Sequence, residues 1–179
     1  MRKLVRLTLV MLFAATFVSC TTNKPGINIG EMTVEDVSWN PFTPDLEKYC
    51  GDYYSTSNEP GTQTVECEVP LIPRMKVGFG WGAKDTTVFE SNWSAMTWEL
   101  YIDEVQINLD EFEHRKVDGK DSAGNQVTGL GWTIDLVNLS PGKHALRFLW
   151  KSATPIDDGF DVYEPGTYEN IVNFTVLEK

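Results

Sequence analysis

"MKVGFGWGAKD", residues 75–85, decides the fold because its positions alternate between large apolar residues and small ones. One set of alternate positions holds four large apolar side chains: Met75, Val77, Phe79 and Trp81. The other set holds Lys76, Gly78, Gly80 and Gly82. Successive side chains of a β-strand point to opposite faces of the sheet. The stretch is therefore predicted to be a strand with one face in the core and the other face nearly bare.

The bare face raises the question of what covers its glycines. A dinucleotide-binding loop needs G-x-G-x-x-G at the start of a helix that follows a strand. Here the spacing is G-x-G-x-G and no helix is predicted to follow, so that reading fails. Glycine within a strand often marks a bend, a bulge or the close approach of another group. Two covers for Gly78, Gly80 and Gly82 stay open, namely the chain's own segment 38–64 or a ligand.

Outside this stretch the chain is built of short segments rich in Val, Ile, Thr and aromatic residues, separated by turns. The predicted strands are Val65–Leu71, Arg74–Trp81, Ser94–Ile102, Val105–Leu109, Glu113–Val117, Gln126–Val137, His144–Ser152 and Tyr168–Leu177. Helical periodicity is missing from every window of a dozen residues, and one helical turn at Asp45–Tyr49 is the most that is predicted. Regularly spaced short strands without a long helix predict an all-β fold, an antiparallel β-sandwich.

One turn region resembles a known class of β-sandwich. In "NLSPGKHALRFLW", residues 138–150, Pro141 and Gly142 occupy the middle of a predicted type II turn. The stretch is similar to the strand entries of immunoglobulin-like extracellular domains. That resemblance implies an immunoglobulin-like sandwich, and a jelly-roll-like arrangement of the strands is the alternative.

The first twenty residues, "MRKLVRLTLVMLFAATFVSC", have the order of an export signal. A cationic start precedes an apolar run that is too short for a membrane span of about 20 residues. The end of the run, Phe17-Val18-Ser19-Cys20, resembles the lipobox of bacterial lipoproteins. The resemblance implies that Cys20 is diacylated, becomes the new N-terminus on cleavage, and anchors the exported chain to the cell membrane, facing the periplasm or the exterior. The predicted organisation is a signal peptide at 1–19, a lipidated tether at 20–30 and one β-sandwich domain at 31–179.

The three cysteines agree with this organisation. If Cys20 carries lipid, Cys50 and Cys67 remain as a pair in an oxidising compartment, where disulfides persist. We therefore predict a Cys50–Cys67 disulfide. Neither cysteine has the spacing of a zinc site or of a C-x-x-C redox motif.

The charge of the chain limits its partners. The formal net charge is −11, and the predicted signal contains three basic residues and no acidic ones, so the exported part is still more acidic. Nucleic acid and anionic membrane surfaces are disfavoured as partners because like charges repel. The membrane is expected to be contacted only through the lipid, and the partner is expected to be an envelope protein or a glycan.

Two sets of residues are candidates for a ligand site. Aromatic rings near turn-forming residues are predicted to be exposed and able to stack on a sugar: Trp39, Trp93, Tyr53 and Tyr54. Trp81, Trp98, Trp132 and Trp150 lie on apolar strand faces and are predicted to be core. The segment "PIDDGFDVYE" groups four carboxylates, Asp157, Asp158, Asp161 and Glu164, and is either a calcium site or a turn.

Catalytic motifs are missing from the sequence. Its two histidines, His114 and His144, are far apart and lack metal-ligand spacing, and no G-x-S-x-G is present. The predicted function is a non-catalytic binding or structural module at the cell envelope, without a cofactor. The alternatives are a carbohydrate-binding module and a carboxylate-based glycan-active enzyme, which would need two acidic residues facing each other.

Overall fold

The computed structural model describes residues 26–37, 42–54, 57–120 and 124–178. The predicted signal peptide, Cys20 and Trp39 lie outside these ranges. The strands are β1 Ile27–Ile29, β2 Met32–Asp36, β3 Gly61–Val69, β4 Arg74–Ala83, β5 Met96–Ile102, β6 Val105–Ile107, β7 His114–Lys120, β8 Gln126–Val137, β9 Gly142–Ser152, β10 Ile156–Asp157, β11 Val162–Tyr163 and β12 Gly166–Val176. The helices are α1 Glu47–Cys50 and α2 Thr86–Ala95, with a 3-10 turn at Leu109–Glu111.

Two five-stranded sheets pack face to face, so the predicted β-sandwich is confirmed. The first sheet has the order β1-β2-β8-β4, with β7 also paired to β8. The second has the order β3-β12-β9-β5-β6, and β10 pairs only with β11. Neighbouring strands are antiparallel except for β3 and β12, which run parallel. Because β1 pairs with β2, the chain enters the sheet at Ile27, before the predicted end of the tether at residue 30.

The strand predicted from the opening stretch is confirmed as β4. Met75 and Val77 are fully buried and Phe79 is 3% exposed, and all three belong to the main core between the sheets. Trp81 points to the same side but packs in a smaller cluster with Trp150 and Tyr168. The apolar row of β4 therefore serves two packing regions.

Helix α2 was not predicted. Asp85 caps its first turn, because its carboxylate accepts a hydrogen bond from the Val88 N–H at 3.0 Å. Phe89 and Asn92 are its buried residues, and so few inward positions leave little helical periodicity in the sequence. The helix extends through Ala95, so the strand predicted from Ser94 begins at Met96.

The segment between β2 and β3 packs along the outer edge of β4. The Lys76 N–H donates to the Pro44 carbonyl at 2.8 Å, and the Leu46 N–H donates to the Lys76 carbonyl at 2.8 Å. The predicted disulfide between Cys50 and Cys67 is confirmed and ties α1 to β3, with 5.1 Å between the Cα atoms. In the described ranges, no helix has the length and apolar character needed to cross a membrane.

Candidate functional site

A cavity of about 210 Å³ lies between the sheets beside the outer edge of β4. We call it the aromatic chamber and define it by six of its lining residues: Trp81, Trp98, Trp150, Tyr163, Tyr168 and Asn170. Its lining also includes the backbone of β4 at Gly80 and Gly82, and Asp158 from the loop after β10. The chamber therefore combines aromatic walls with a small number of polar groups.

The register in which the strands pair determines where the walls of the aromatic chamber lie. Trp98 of β5, Trp150 of β9 and Tyr168 of β12 lie directly opposite one another on the inner face of the second sheet. The rings of Trp150 and Tyr168 stack at 4.0 Å between centroids. Trp81 meets Trp150 and Tyr163 edge to face, at 5.1 and 4.9 Å. These mutual contacts hold the rings in fixed orientations.

Three buried polar atoms of the aromatic chamber residues have no hydrogen-bond partner among the described residues: Trp81 Nε1, Trp98 Nε1 and Asn170 Oδ1. Asn170 is only 3% exposed and lies on an inward position of β12, opposite Phe148 of β9. Buried polar groups are nearly always hydrogen-bonded, and an unpaired one costs about 1–3 kcal/mol. Trp132 Nε1, outside the chamber, is buried without a described partner in the same way, and all of these atoms are closed off from accessible space.

The edge of β4 supplies further polar groups. The backbone groups of Lys76 point outward from the sheet, and so does the Lys84 N–H, which donates to the Asp158 carbonyl at 2.8 Å. In a regular antiparallel ladder the outward residues alternate, so the N–H and C=O groups of Gly80 and Gly82 also point outward. Within the described ranges these groups have no hydrogen bond outside the β4–β8 ladder. They border the aromatic chamber.

Tyr163 and Asp158 form one side of the chamber. Burial, followed by the negative charges of Asp158 and Asp161, raises the pKa of Tyr163 above its ordinary value, so the phenol stays neutral. Asp158 Oδ1 accepts two backbone N–H groups, those of Phe160 and Asp161, both at 2.7 Å. Asp157 Oδ1 accepts the Gly159 N–H at 2.7 Å.

These hydrogen bonds identify the segment as an Asx-type turn, the alternative to calcium. No group of three or more His, Cys, Asp or Glu side chains that is placed to hold a metal ion occurs in the described part of the chain. The calcium hypothesis for Asp157, Asp158, Asp161 and Glu164 stays a prediction.

Protein atoms approach the three glycines of β4 to different extents. A Cβ atom on Gly80 would lie 2.4 Å from the Leu130 carbonyl oxygen and 2.6 Å from the Gly131 Cα, because Gly80 and Gly131 face each other across the β4–β8 pair. A Cβ atom on Gly82 would lie 2.7 Å from Val127 Cγ1. Gly78 is approached more loosely, at 3.6 Å, by the Tyr54 hydroxyl.

Tyr53 and Tyr54 tie the segment before β3 to the glycine strand. Both hydroxyls donate to the Gly78 carbonyl, Tyr53 at 3.1 Å. Burial is the main cause that raises the pKa of both phenols above the ordinary value of tyrosine. Both hydroxyls therefore keep their protons and remain hydrogen-bond donors. The chain's own segment therefore contacts Gly78. Gly78, Gly80 and Gly82 also line a groove of about 490 Å³ on the outer face of the sheet, which Arg115 and Lys120 border, so a ligand on the glycine face stays a prediction.

The predicted exposed aromatics do not form one patch. Tyr53 is 1% exposed, so the prediction that it is exposed is wrong, because its ring packs against Phe148. Tyr54 is half-buried beside it. Trp93 is half-buried elsewhere, stacked on Trp98 and close to Trp132. Trp39 lies outside the described residues.

Sequence analysis missed the aromatic chamber because it assigned Trp81, Trp98 and Trp150 to a closed core. The sequence did contain one indication of the chamber. On β12 the inward positions read Tyr168, Asn170, Val172, Phe174 and Val176, so a carboxamide interrupts an apolar row.

The two histidines lie in different surroundings. His144 Nδ1 is 2.7 Å from Asp103 Oδ2, and its Nε2 is 2.9 Å from the Ser140 carbonyl, which joins the β5–β6 turn to the start of β9. The ring of His114 packs beside Trp93 and Trp132. Neither histidine lines the aromatic chamber.

Comparison with known proteins gives little further information. No family model matches the chain, and no curated protein matches it. A solved structure described as PbICP-C in complex with falcipain-2 matches with a TM-score of 0.38 and 14% sequence identity, covering 69% of this chain and 95% of that chain. A likeness at this level carries no conclusion about what this chain does.

Proposed function

We propose that this protein is an exported, lipid-anchored, non-catalytic binding module, and that the aromatic chamber is its ligand site. The observation that carries the proposal is the cavity itself, about 210 Å³ of space between aromatic walls with the Asn170 carboxamide in its lining. The aromatic walls add apolar contact area, as in most small-molecule sites.

The anchor part of the proposal rests on the sequence. Lipidation at Cys20 would keep the domain at the membrane surface, and residues up to Gly26 would act as a short tether. The partner that presents the ligand would then be an envelope glycan or an envelope protein.

The absence of catalysis is proposed from the lining of the chamber. Glycoside hydrolysis needs two carboxyl groups on opposite sides of the substrate. Among the residues that line the chamber, Asp158 is the one with a carboxylate, and one of its oxygens is already held by two backbone N–H groups. The chamber is therefore equipped to bind and lacks the groups to cleave.

The experiment is a thermal-shift and calorimetric screen of the purified protein against small probes of three chemical classes: methyl glycosides, propionamide and choline. The variant Asn170→Leu removes the unpaired acceptor and fills space. Trp132→Phe is the matched control, because Trp132 Nε1 is also buried without a partner but does not line the chamber. We expect at least one probe to stabilise the wild type and Trp132→Phe but not Asn170→Leu. Binding that survives in Asn170→Leu, or no binding by any probe, would contradict the proposal.

A further inference from the structure

We infer that the groove on the outer face of the first sheet is a second binding site, and that it takes a short chain of sugar units that carry carboxylates. The groove has a volume of about 490 Å³ and lies over β4, β8 and β7. The inference goes beyond the proposed function, because that function concerns the aromatic chamber between the sheets.

The floor of the groove is bare backbone. Five glycines of β4 and β8 line it: Gly78, Gly80, Gly82, Gly129 and Gly131. Gly80 lies opposite Gly131 and Gly82 opposite Gly129, so the bare positions are side by side. From Gly78 to Gly82 the surface is about 14 Å long at about 3.4 Å per residue, and two strand spacings of about 4.8 Å give it a width of about 10 Å. A flat, extended molecule can therefore lie directly on the peptide groups.

The contacts of Gly78 and Gly119 do not explain why these two groove positions are glycine. A Cβ atom on Gly78 would lie 3.6 Å from the Tyr54 hydroxyl, its nearest described neighbour, and a Cβ atom on Gly119 would have no described atom within 4 Å. Neither residue has a positive φ. Glycine inside a strand costs about 0.5–1 kcal/mol relative to alanine. The close approach of a ligand from outside the sheet accounts for glycine at both positions.

The charge of the groove selects an anion. Arg115 and Lys120 border it, and its lining contains no carboxylate. Neither cation forms an ion pair within the described ranges, whereas Lys116 of the same strand pairs with Asp118 at 3.7 Å. The whole chain has a net charge of −11, so two cations without acidic partners on one face are a local exception. The planar guanidinium of arginine matches a carboxylate with two parallel hydrogen bonds.

The positions of the two cations select a chain over a single small anion. Arg115 lies opposite Gly131, which in turn lies opposite Gly80, so the arginine is level with the middle of the bare floor. Lys120 is five residues further along β7, a distance of about 17 Å in an extended strand. A ligand that meets both cations carries anionic groups at two separated points.

The location of the groove disfavours other extended anions. An acidic peptide needs a free strand edge to pair its backbone groups, and both edges of β8 in this region are paired, with β4 and with β7. An anionic lipid would leave one side of its acyl chain in water. Nucleic acid carries about one charge per 1.7 Å of duplex, which the net negative charge of the protein repels. A sugar chain keeps its hydroxyls hydrated on the open side and places its C–H faces on the glycines.

The first test of the groove removes its charge. Calorimetry on the purified protein measures the dissociation constants of trigalacturonate and of its methyl ester, which has the same sugar chain without the charges. We expect Arg115→Gln to weaken trigalacturonate binding about tenfold, because it removes a charge-assisted pair. Lys143→Gln makes the same change in net charge outside the groove, and should leave the dissociation constant within about twofold of the wild type.

The second test changes the shape of the floor. Gly78→Ala raises a methyl group under the ligand, and we expect it to weaken trigalacturonate binding at least about threefold through lost contacts. Gly61→Ala is the matched control, because Gly61 starts β3 outside the groove, has no positive φ and has room for a Cβ atom. Urea midpoints confirm that all variants are folded.

Each outcome decides the inference. Trigalacturonate binding that Arg115→Gln and Gly78→Ala both weaken, and that the methyl ester does not reproduce, supports it. No binding by the wild type, equal binding of the ester, or a dissociation constant unchanged in either variant overturns it. Tetraglutamate and octanoate are the competing arms, and the inference is also wrong if one of them binds with this dependence and trigalacturonate does not. The proposed function is tested separately with Asn170→Leu and stands whatever the result.

Discussion

The substitution Gly80→Ala tests whether close strand approach is the reason for the glycines of β4. Its new Cβ atom would lie 2.4 Å from the Leu130 carbonyl oxygen and 2.6 Å from the Gly131 Cα. Both neighbours are backbone atoms of β8, so they cannot move away as a flexible side chain would. Overpacking of this kind costs about 1–3 kcal/mol. The smaller entropy of the unfolded alanine chain offsets about 0.4–1 kcal/mol of that.

Gly78→Ala is the matched control on the same face of the same strand. Its Cβ atom would lie 3.6 Å from the Tyr54 hydroxyl, an ordinary contact. We expect Gly80→Ala to lower the free energy of unfolding by about 1–2 kcal/mol, with each kcal/mol shifting the melting temperature by about 2–4 °C. Gly78→Ala should be neutral or slightly stabilising. Urea unfolding of the three proteins gives the comparison. Equal stability of the two variants would refute the explanation by strand approach.

Three further changes have defined outcomes. Replacing Cys50 and Cys67 together by alanine opens a loop with a sequence separation of 17. In urea unfolding, this should lower the free energy of unfolding by about 3 kcal/mol, because the disulfide restricts the unfolded chain. An unchanged free energy of unfolding would contradict this explanation. Hydrogen bonds from Lys151 and then Tyr101 lower the pKa of Glu99, so its stabilisation is present at neutral pH and is lost as the pH falls through the lowered value. Glu99→Gln should therefore reduce stability by less than about 1 kcal/mol at neutral pH, and this deficit should shrink as the pH falls through the acid range. An equal deficit at neutral and acid pH would be inconsistent with this. Asn170→Leu should be at least as stable as the wild type without ligand, because it removes a buried acceptor without a partner; a large loss of stability would instead identify a structural asparagine.

Local pattern was sufficient to predict most of the described strands, but β1, β10 and β11 were not predicted. The alternation from Met75 to Trp81 is set by the side chains themselves, and burial of Met75, Val77 and Phe79 follows from it. Helix α2 carries little of its own periodicity and depends on the Asp85 cap and on packing against the sheets, so sequence pattern did not reveal it.

The sequence contained part of the information about what lies beside the glycines of β4. "VTGLGW", residues 127–132, has its own alternating glycines, and antiparallel pairing with β4 sets Gly80 opposite Gly131 and Gly82 opposite Gly129. Choosing that pairing among all the strands requires the three-dimensional structure. The aromatic chamber was harder to predict from the sequence, because its walls come from strands that are distant in sequence.

The most direct test of the account is a saturation-transfer NMR measurement of methyl glycosides, propionamide and choline with the wild-type protein and with Asn170→Leu at equal concentration. The account predicts transfer to the protons of at least one probe with the wild type and its loss with Asn170→Leu, while the urea midpoint of the variant is equal or higher. No transfer to any probe with the wild type, or equal transfer with both proteins, would contradict the claim that the aromatic chamber is a ligand site.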